Sequence, residues 1–264
     1  MDYKALCEST IEVANQAGRY IFSRINNISL QEVESKGKHN FVTEVDKASE
    51  IMIIEKLEKF VPAAGFIAEE NSSQLKGQKY NWIIDPLDGT TNFIHGAPPV
   101  AVSIALLEEG IPVVGVVYEI WLNEMFYAWK GDGAYLNGKK IKVSDTPHVK
   151  DSLIATGFPY HNFDRLKGFM NTIDYFFTNT HGVRRLGSAA TDLAYIACGR
   201  FDGFYEYNLN PWDVAAGALI ILNAGGMVAD FKGDNNYIFG REIVASNKKI
   251  FNAFLHDVGR FMNP

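Results

Sequence analysis

The amino-acid sequence predicts a mixed α/β (α+β) protein made of two dissimilar halves. Three patterns predict it: a helical apolar period over the first 60 residues, a crowd of short strand-like runs between Gly65 and Val143, and helices alternating with single short strands from Leu153 onward. The chain has 264 residues, 47% of them hydrophobic and 21% charged. That is enough material for one large domain or two fused small ones, and it excludes intrinsic disorder. A net charge of −6 argues against a general nucleic-acid binder or a ligand of anionic membranes.

Leu6, Thr10, Val13, Ala17, Ile21 and Ile25 recur at spacings of three and four, so the chain opens with an amphipathic helix rather than a signal peptide. No apolar run is long enough to span a membrane. The two cysteines, Cys7 and Cys198, make no disulfide framework and fit a reducing, cytoplasmic compartment. Asn27-Ile28-Ser29 and Asn71-Ser72-Ser73 read as chance matches to glycosylation acceptors. Val33 to Phe41, rich in Gly, Lys and Asn, predicts a loop. Thr43-Glu44-Val45-Asp46 resembles a capping box, and Ile51, Ile54 and Leu57 continue a helical stripe behind it.

Strands are then predicted at Phe66–Ala68, Trp82–Ile84, Val100–Leu107, Ile111–Tyr118, Glu124–Trp129 and Lys139–Val143. Glu109-Gly110 and Asn137-Gly138 fall between neighbours as hairpin turns, so the run reads as antiparallel. In the second half, strands are predicted at Leu153–Thr156, Phe204–Tyr207, Met227–Ala229 and Ile243–Ala245. Helices are predicted at Asp164–Phe177, Ser188–Cys198 with Gly199 past its end, Pro211–Asn223 with Gly225-Gly226 as its stop, and from about Asn247. The break near 145–152 divides the chain into 1–148 and 149–264, with no flexible linker and so a shared interface.

The densest polar cluster is Trp82 through Phe93, containing Asp85-Pro86-Leu87-Asp88-Gly89-Thr90-Thr91. A buried strand delivers Asp85 to its end, and a turn at Pro86 is predicted to bring Asp88 back beside it. Two carboxylates with a main-chain carbonyl between them suit Mg²⁺, a hard ion that takes oxygen ligands. The amides of Gly89, Thr90 and Thr91 could hold a phosphate, as helix starts do. In isolation the same residues would serve as an Asx-turn. Glu69-Glu70 follows a predicted strand, and pairing with the next strand would set one Glu beside Asp85. Asp213 opens an apolar helix, where a carboxylate also suits the helix dipole. Ser188 opens another, as a cap or as a contact for a hydroxyl or anion, with Arg184 and Arg185 before it.

Other motifs fail. Gly133 to Lys140 resembles a P-loop but has Lys where Ser or Thr is required and sits in a hairpin region. The histidines, His39, His95, His148, His161, His181 and His256, lack metal-ligand spacing and read as surface or loop residues.

Taken together, Ile67-Ala68-Glu69-Glu70, Trp82 through Phe93 and Trp212-Asp213-Val214-Ala215-Ala216-Gly217 resemble, in the same order, the motifs of the inositol monophosphatase family. The resemblance covers nearly the whole chain. Thr156-Gly157-Phe158-Pro159 and Val183 through Ala190 are similar to its bacterial branch.

This resemblance implies a layered αβαβα sandwich of the sugar phosphatase type, Mg²⁺-dependent hydrolysis of a phosphate monoester, inhibition by Li⁺ and a homodimer. It implies that Glu69, Asp85 and the Leu87 carbonyl hold one metal and that Asp85, Asp88 and Asp213 hold a second. Thr90 and Glu69 would orient the attacking water, with Asp46 behind Thr90. Gly89, Thr90 and Thr91 would contact the phosphate, and Asp88 would also bind substrate. Gly187, Ser188, Ala189, Glu206 and Asp213 would face the alcohol. Asn40 stands where many members carry an acid, near Lys36 and Lys38, which weakens a third metal site; the segment between Glu70 and Trp82 is short. The expected reaction is inositol 1-phosphate plus water to myo-inositol and phosphate. Alternatives are fructose-1,6-bisphosphate, NADP or 3′-phosphoadenosine 5′-phosphate as substrate, an aspartyl-phosphate mechanism on Asp85, or a regulatory binding protein on this fold. The implied partner is a small sugar or inositol phosphate, with neither nucleic acid nor membrane expected.

Overall fold

Asp2 opens the first helix by accepting from the Ala5 amide at 3.1 Å, and α1 runs Tyr3–Arg24. The computed structural model describes residues 1–25, 33–37, 40–70, 76–159 and 162–263. The predicted apolar face of α1 is buried, with Cys7, Ala14 and Gly18 added to it. Val33–Gly37 (β1) pairs antiparallel with Asn40–Thr43 (β2), so the predicted loop is a hairpin. Its strands are short and largely polar, which hides the alternation that marks a strand. Lys38, the segment 71–75, both glycosylation-like triplets and the side chains of Lys36 and Asn40 lie outside the described residues.

Thr43 ends β2 and caps α2 (Glu44–Phe60) with the predicted capping box: its hydroxyl accepts from Val45, and Asp46 accepts from the Thr43 amide at 2.8 Å. The buried face of α2 is Val45, Asp46, Ser49, Glu50, Ile53 and Leu57. The predicted stripe is therefore displaced: Ile51 is 49% exposed, because polar side chains occupy much of the face that packs.

Gly65–Ala68 (β3), Tyr80–Asp88 (β4), Ala101–Glu108 (β5), Ile111–Glu119 (β6), Glu124–Trp129 (β7), Ala134–Leu136 (β8) and Lys139–Ile141 (β9) form a seven-stranded sheet in that order, with the helical turn Thr90–Ile94 (α3) after β4. All its pairs are antiparallel, as predicted, except β3 with β4. Glu109 and Gly110, then Asn137 and Gly138, all have positive φ, as the hairpin turns require.

Leu153–Thr156 (β10), Gly182–Arg184 (β11), Gly203–Tyr207 (β12), Met227–Ala229 (β13) and Glu242–Ser246 (β14) form a five-stranded sheet, order β11-β10-β12-β14-β13. The chain also forms α4 (Leu166–Asn179), α5 (Ala189–Ala197), α6 (Pro211–Asn223) and α7 (Phe251–Met262). The last helix begins later than predicted because the Asn247 side chain accepts from the Lys249 and Ile250 amides and holds a turn there.

α1 and α2 cover one face of the large sheet, α5 and α6 fill the space between the two sheets, and α4 pairs with α7 beyond the small sheet. That is the αβαβα layering. The period of two in β4 sorts its residues between layers: Trp82 and Ile84 enter the core under α1 and α2, while Ile83 enters the core under α5 and α6. The central layer sits close because its contacts are small. A Cβ on Gly115 would stand 2.9 Å from the Ala216 carbonyl oxygen, and one on Gly217 2.5 Å from the Leu193 Cβ. Among the described residues no helix is long and apolar enough to cross a membrane.

Candidate active site

Asp85 and Asp88 stand three apart in one strand, which in a regular strand puts them on opposite faces. The structure resolves this with a bulge. Asp85 pairs with Ser103 and Asp88 with Ala101, so Pro86 and Leu87 together oppose Val102. Leu87 is thereby thrown into the core under α1 and α2, and both carboxylates face the central helices. The turn predicted at Pro86 is thus a bulge within a continuing strand. The Leu87 amide donates to Asp85 Oδ1 at 3.0 Å.

β3 runs parallel to β4 with Ala68 level with Ile84, and the Glu69 amide donates to the Ile84 carbonyl at 3.2 Å. Glu69 therefore lies beside Asp85, as predicted. Glu70 turns toward α2, its amide donating to Glu50 at 2.7 Å. Gly89 ends β4 at φ +95° and caps α3, and a Cβ there would meet the Pro99 carbonyl oxygen at 2.9 Å, so both conformation and space demand glycine. The Thr90 hydroxyl lies 3.1 Å from Asp46 Oδ1 and 3.1 Å from the Leu87 carbonyl oxygen. It carries one proton for two acceptors.

The second half of the chain closes the site through two helix starts. Ser188 caps α5, its hydroxyl donating to Asp88 Oδ2 at 2.7 Å, and the Ala190 amide donates to the same oxygen at 2.7 Å. At α6, Asp213 accepts from the Asn210 amide at 2.6 Å. The Ser103 hydroxyl, level with Asp85, donates to the Trp212 carbonyl at 3.0 Å and seats that helix start against β5. Asn92 donates to the Pro99 and Leu186 carbonyls and brings Gly187 against α3.

Glu69, Asp85, Leu87, Asp88, Gly89, Thr90, Thr91, Gly187, Ser188, Ala189, Glu206 and Asp213 all border one cavity of about 160 Å³, and Asp46 stands behind Thr90. Every predicted site residue is therefore in one place. Arg185 also lines the cavity, its guanidinium 5.3 Å from the Phe158 ring centre, whereas Arg184 is exposed on β11. His95, His148, His181 and His256 are exposed and none borders the cavity; His39 and His161 lie outside the described residues. Sequence reasoning missed Asp192 and Arg241 in the cavity wall. The signal for Asp192 was its place one helical turn after Ser188. Arg241 is held by Asn208 and Asn210 and had no local signal.

Crowding of acids sets the electrostatics. Burial, then Glu69, Asp88 and Asp213, raise Asp85 well above the usual carboxylate range. Burial, then Asp88, does the same to Asp213. Burial pushes Asp88 up to about 6 against the pull of the Ser188 hydroxyl and the Ala190 and Ala189 amides. Glu206 is pushed up to about 8 by burial and by Asp88, with Arg185 opposing. Burial also raises Asp46 against the Thr43 and Thr90 donors. Asp85, Asp88 and Asp213 each accept from a donor of the chain, and among the described residues no three acids, histidines or cysteines stand close enough to grip an ion as they lie. The donor set nevertheless suits a hard divalent cation: four carboxylates and a carbonyl, with neither sulfur nor imidazole at the cavity wall.

A pH prediction follows for Asp88. Its folded pKa, about 6, exceeds its ordinary value near 3.8. Below both values it costs nothing; as pH rises between them the folded state loses stability relative to the unfolded chain. In chelator, the thermal midpoint of Asp88→Asn relative to wild type is expected to climb from pH 4 to about 6 and then level off. A flat difference across that window would show that Asp88 titrates normally.

The sequence model of the inositol monophosphatase family matches residues 2–261. The chain belongs to that family. Within the inositol monophosphatase family it is 43% identical over 247 residues to Nus factor SuhB of Escherichia coli K12, covering 93% of this chain and 92% of that one. The solved extragenic suppressor protein suhB of Bartonella henselae is 37% identical with a TM-score of 0.89, covering 96% and 98% of the two chains. Inositol monophosphatase from Anabaena is 36% identical with a TM-score of 0.86, covering 98% and 97%. The αβαβα layering described above is thus the inositol monophosphatase fold.

Proposed function

We propose that this family member is a Mg²⁺-dependent phosphate monoester hydrolase that converts inositol 1-phosphate and water to myo-inositol and phosphate by direct attack of water. One observation carries the reading: acids from two strand ends and a helix start border the same cavity as the first amides of α3 and the cap of α5. Glu69, Asp85 and the Leu87 carbonyl would hold one Mg²⁺, and Asp85, Asp88 and Asp213 a second. The chemistry that bound Mg²⁺ supplies is acidification of water and neutralisation of the charge on phosphate and leaving oxygen.

The residues of the chain do the positioning. When Thr90 gives its single proton to Asp46, its oxygen keeps lone pairs to accept from a water, and Glu69 supplies the second acceptor that fixes the direction of attack. The first amides of α3, which have no partner within that helix, suit the phosphate oxygens. Asp85 is a poor nucleophile candidate: its Oδ1 is engaged by the Leu87 amide, and its strand runs between one parallel and one antiparallel neighbour rather than in a doubly wound parallel sheet. The homodimer, the Li⁺ sensitivity, the cytoplasmic location and the division at 148 and 149 belong to the same proposal.

The test is a comparison of turnover, with Mg²⁺ and with chelator, on inositol 1-phosphate, fructose-1,6-bisphosphate, NADP and 3′-phosphoadenosine 5′-phosphate. Metal-dependent preference for the first supports the reading; preference for another reassigns the substrate; trapping of an aspartyl-phosphate overturns direct water attack. A second reading, a regulatory binding protein, is favoured by the relative named Nus factor SuhB. Equal complementation of an Escherichia coli strain lacking that factor by wild-type and Asp85→Asn chains would favour binding over catalysis.

A further inference from the structure

The alcohol side of the cavity holds one acid that the proposed chemistry leaves idle. Asp192 follows Ser188 by one turn of α5, its amide donating to the Ser188 carbonyl at 3.0 Å. Residues four apart share a helix face, so Asp192 lies on the same face as the hydroxyl that holds Asp88. The residue borders the cavity and is 1% exposed, and its Oδ1 is buried without a hydrogen-bond partner. Buried polar groups are nearly always paired, so a carboxyl group at a cavity wall with an unpaired oxygen suits a donor that arrives with a ligand. Glu206 stands at the same wall, its carboxyl against Gly157, where a Cβ would come within 2.1 Å of it. Burial and the nearby Glu206 raise Asp192 well above the usual carboxylate range, with Arg185 opposing.

We propose that Asp192 acts with Glu206 to recognise adjacent hydroxyl groups on the alcohol, which makes Asp192 a specificity-determining residue for polyol phosphates. This rests on the phosphatase reading above. A polyol satisfies both acids at once. An alcohol without further hydroxyls brings the Asp192 carboxyl group no donor, and sites built to hydrogen-bond a substrate hydroxyl discriminate strongly against analogues lacking it. If Asp192 served only to balance Arg185 or to support α5, its loss would affect all substrates alike.

The test measures kcat/KM with Mg²⁺ for inositol 1-phosphate and for p-nitrophenyl phosphate, in wild type, Asp192→Leu and Asp192→Asn. Leucine is close in size, and Asp192 Oδ1 has no hydrogen bond to lose. Asp192→Leu is expected to lose about tenfold or more on inositol 1-phosphate while p-nitrophenyl phosphate stays within about twofold. Asp192→Asn, which keeps one acceptor oxygen, is expected to recover part of the loss. Should Asp192→Leu fail to fold, the ratio of the two esters in Asp192→Asn decides, with a selective loss on the polyol supporting the proposal. Wild-type protein that cleaves neither ester sinks the phosphatase reading and this inference with it. Wild-type protein that cleaves both, with an unchanged ratio in the variants, sinks the role of Asp192 alone.

Discussion

Replacing Asp85 with Asn is expected to cost about a thousandfold or more in Mg²⁺-dependent turnover while the protein stays folded. The residue is 2% exposed and is the one acid proposed to serve both metals. Asn matches Asp in shape, and its carbonyl oxygen can still accept from the Leu87 amide, so the bulge that aims the site survives. What disappears is a negative charge held among Glu69, Asp88 and Asp213. The sign of the stability effect follows. The folded state raises the pKa of Asp85, so its ionisation costs stability once pH exceeds the unfolded value, about 4, and the cost persists at neutral pH. In chelator the variant should therefore unfold at the same or a higher temperature than wild type. Retained Mg²⁺-dependent turnover, or a lowered midpoint in chelator, would remove Asp85 from the centre of the mechanism.

The second large effect is expected at an apolar contact between two helices. In Gly217→Val the new Cβ would begin 2.5 Å from the Leu193 Cβ, a separation that carbon atoms cannot hold. The obstacle is the body of α5 rather than a flexible tip, so α5 and α6 must part. Overpacking of this kind costs about 3 kcal/mol, or roughly 6–12 °C in midpoint at this chain length. Activity should fall as well, because α5 begins at the Ser188 cap that holds Asp88 and α6 begins beside Asp213. Calorimetry with kinetics on the folded fraction checks both parts. A variant that melts earlier yet keeps wild-type turnover per folded molecule would show that the helix starts tolerate the shift.

Much of this was legible in the sequence. The hairpin turns, α6 with its proline start, and the capping box all carry local signatures that the structure keeps. The grouping of Glu69, Asp85, Asp88 and Asp213 came from motif order, but the physical device that aligns Asp85 with Asp88 did not. A bulge is a property of two strands, and Ser103 and Ala101 sit in the other one. The face of α2 was misjudged because Asp46, Ser49 and Glu50 are buried there, and hydrophobic periodicity counts them as solvent-facing. The same blindness hid Asp192: an acid inside an apolar helix leaves no periodic trace, and only its distance from Ser188 marks it.

The cavity is assembled across long stretches of chain. Ser188 reaches Asp88 over a separation of 100 residues, and Trp212 reaches Ser103 over 109. During synthesis, then, Glu69, Asp85 and Asp88 leave the ribosome well before Asp213 exists. The large sheet can pair while its acids are still solvated, and Asp213 adds its repulsion only when the last third of the chain docks. Such non-local closure is slow. The nascent protein therefore cannot meet the full electrostatic cost of its own chemistry before Asp213 docks.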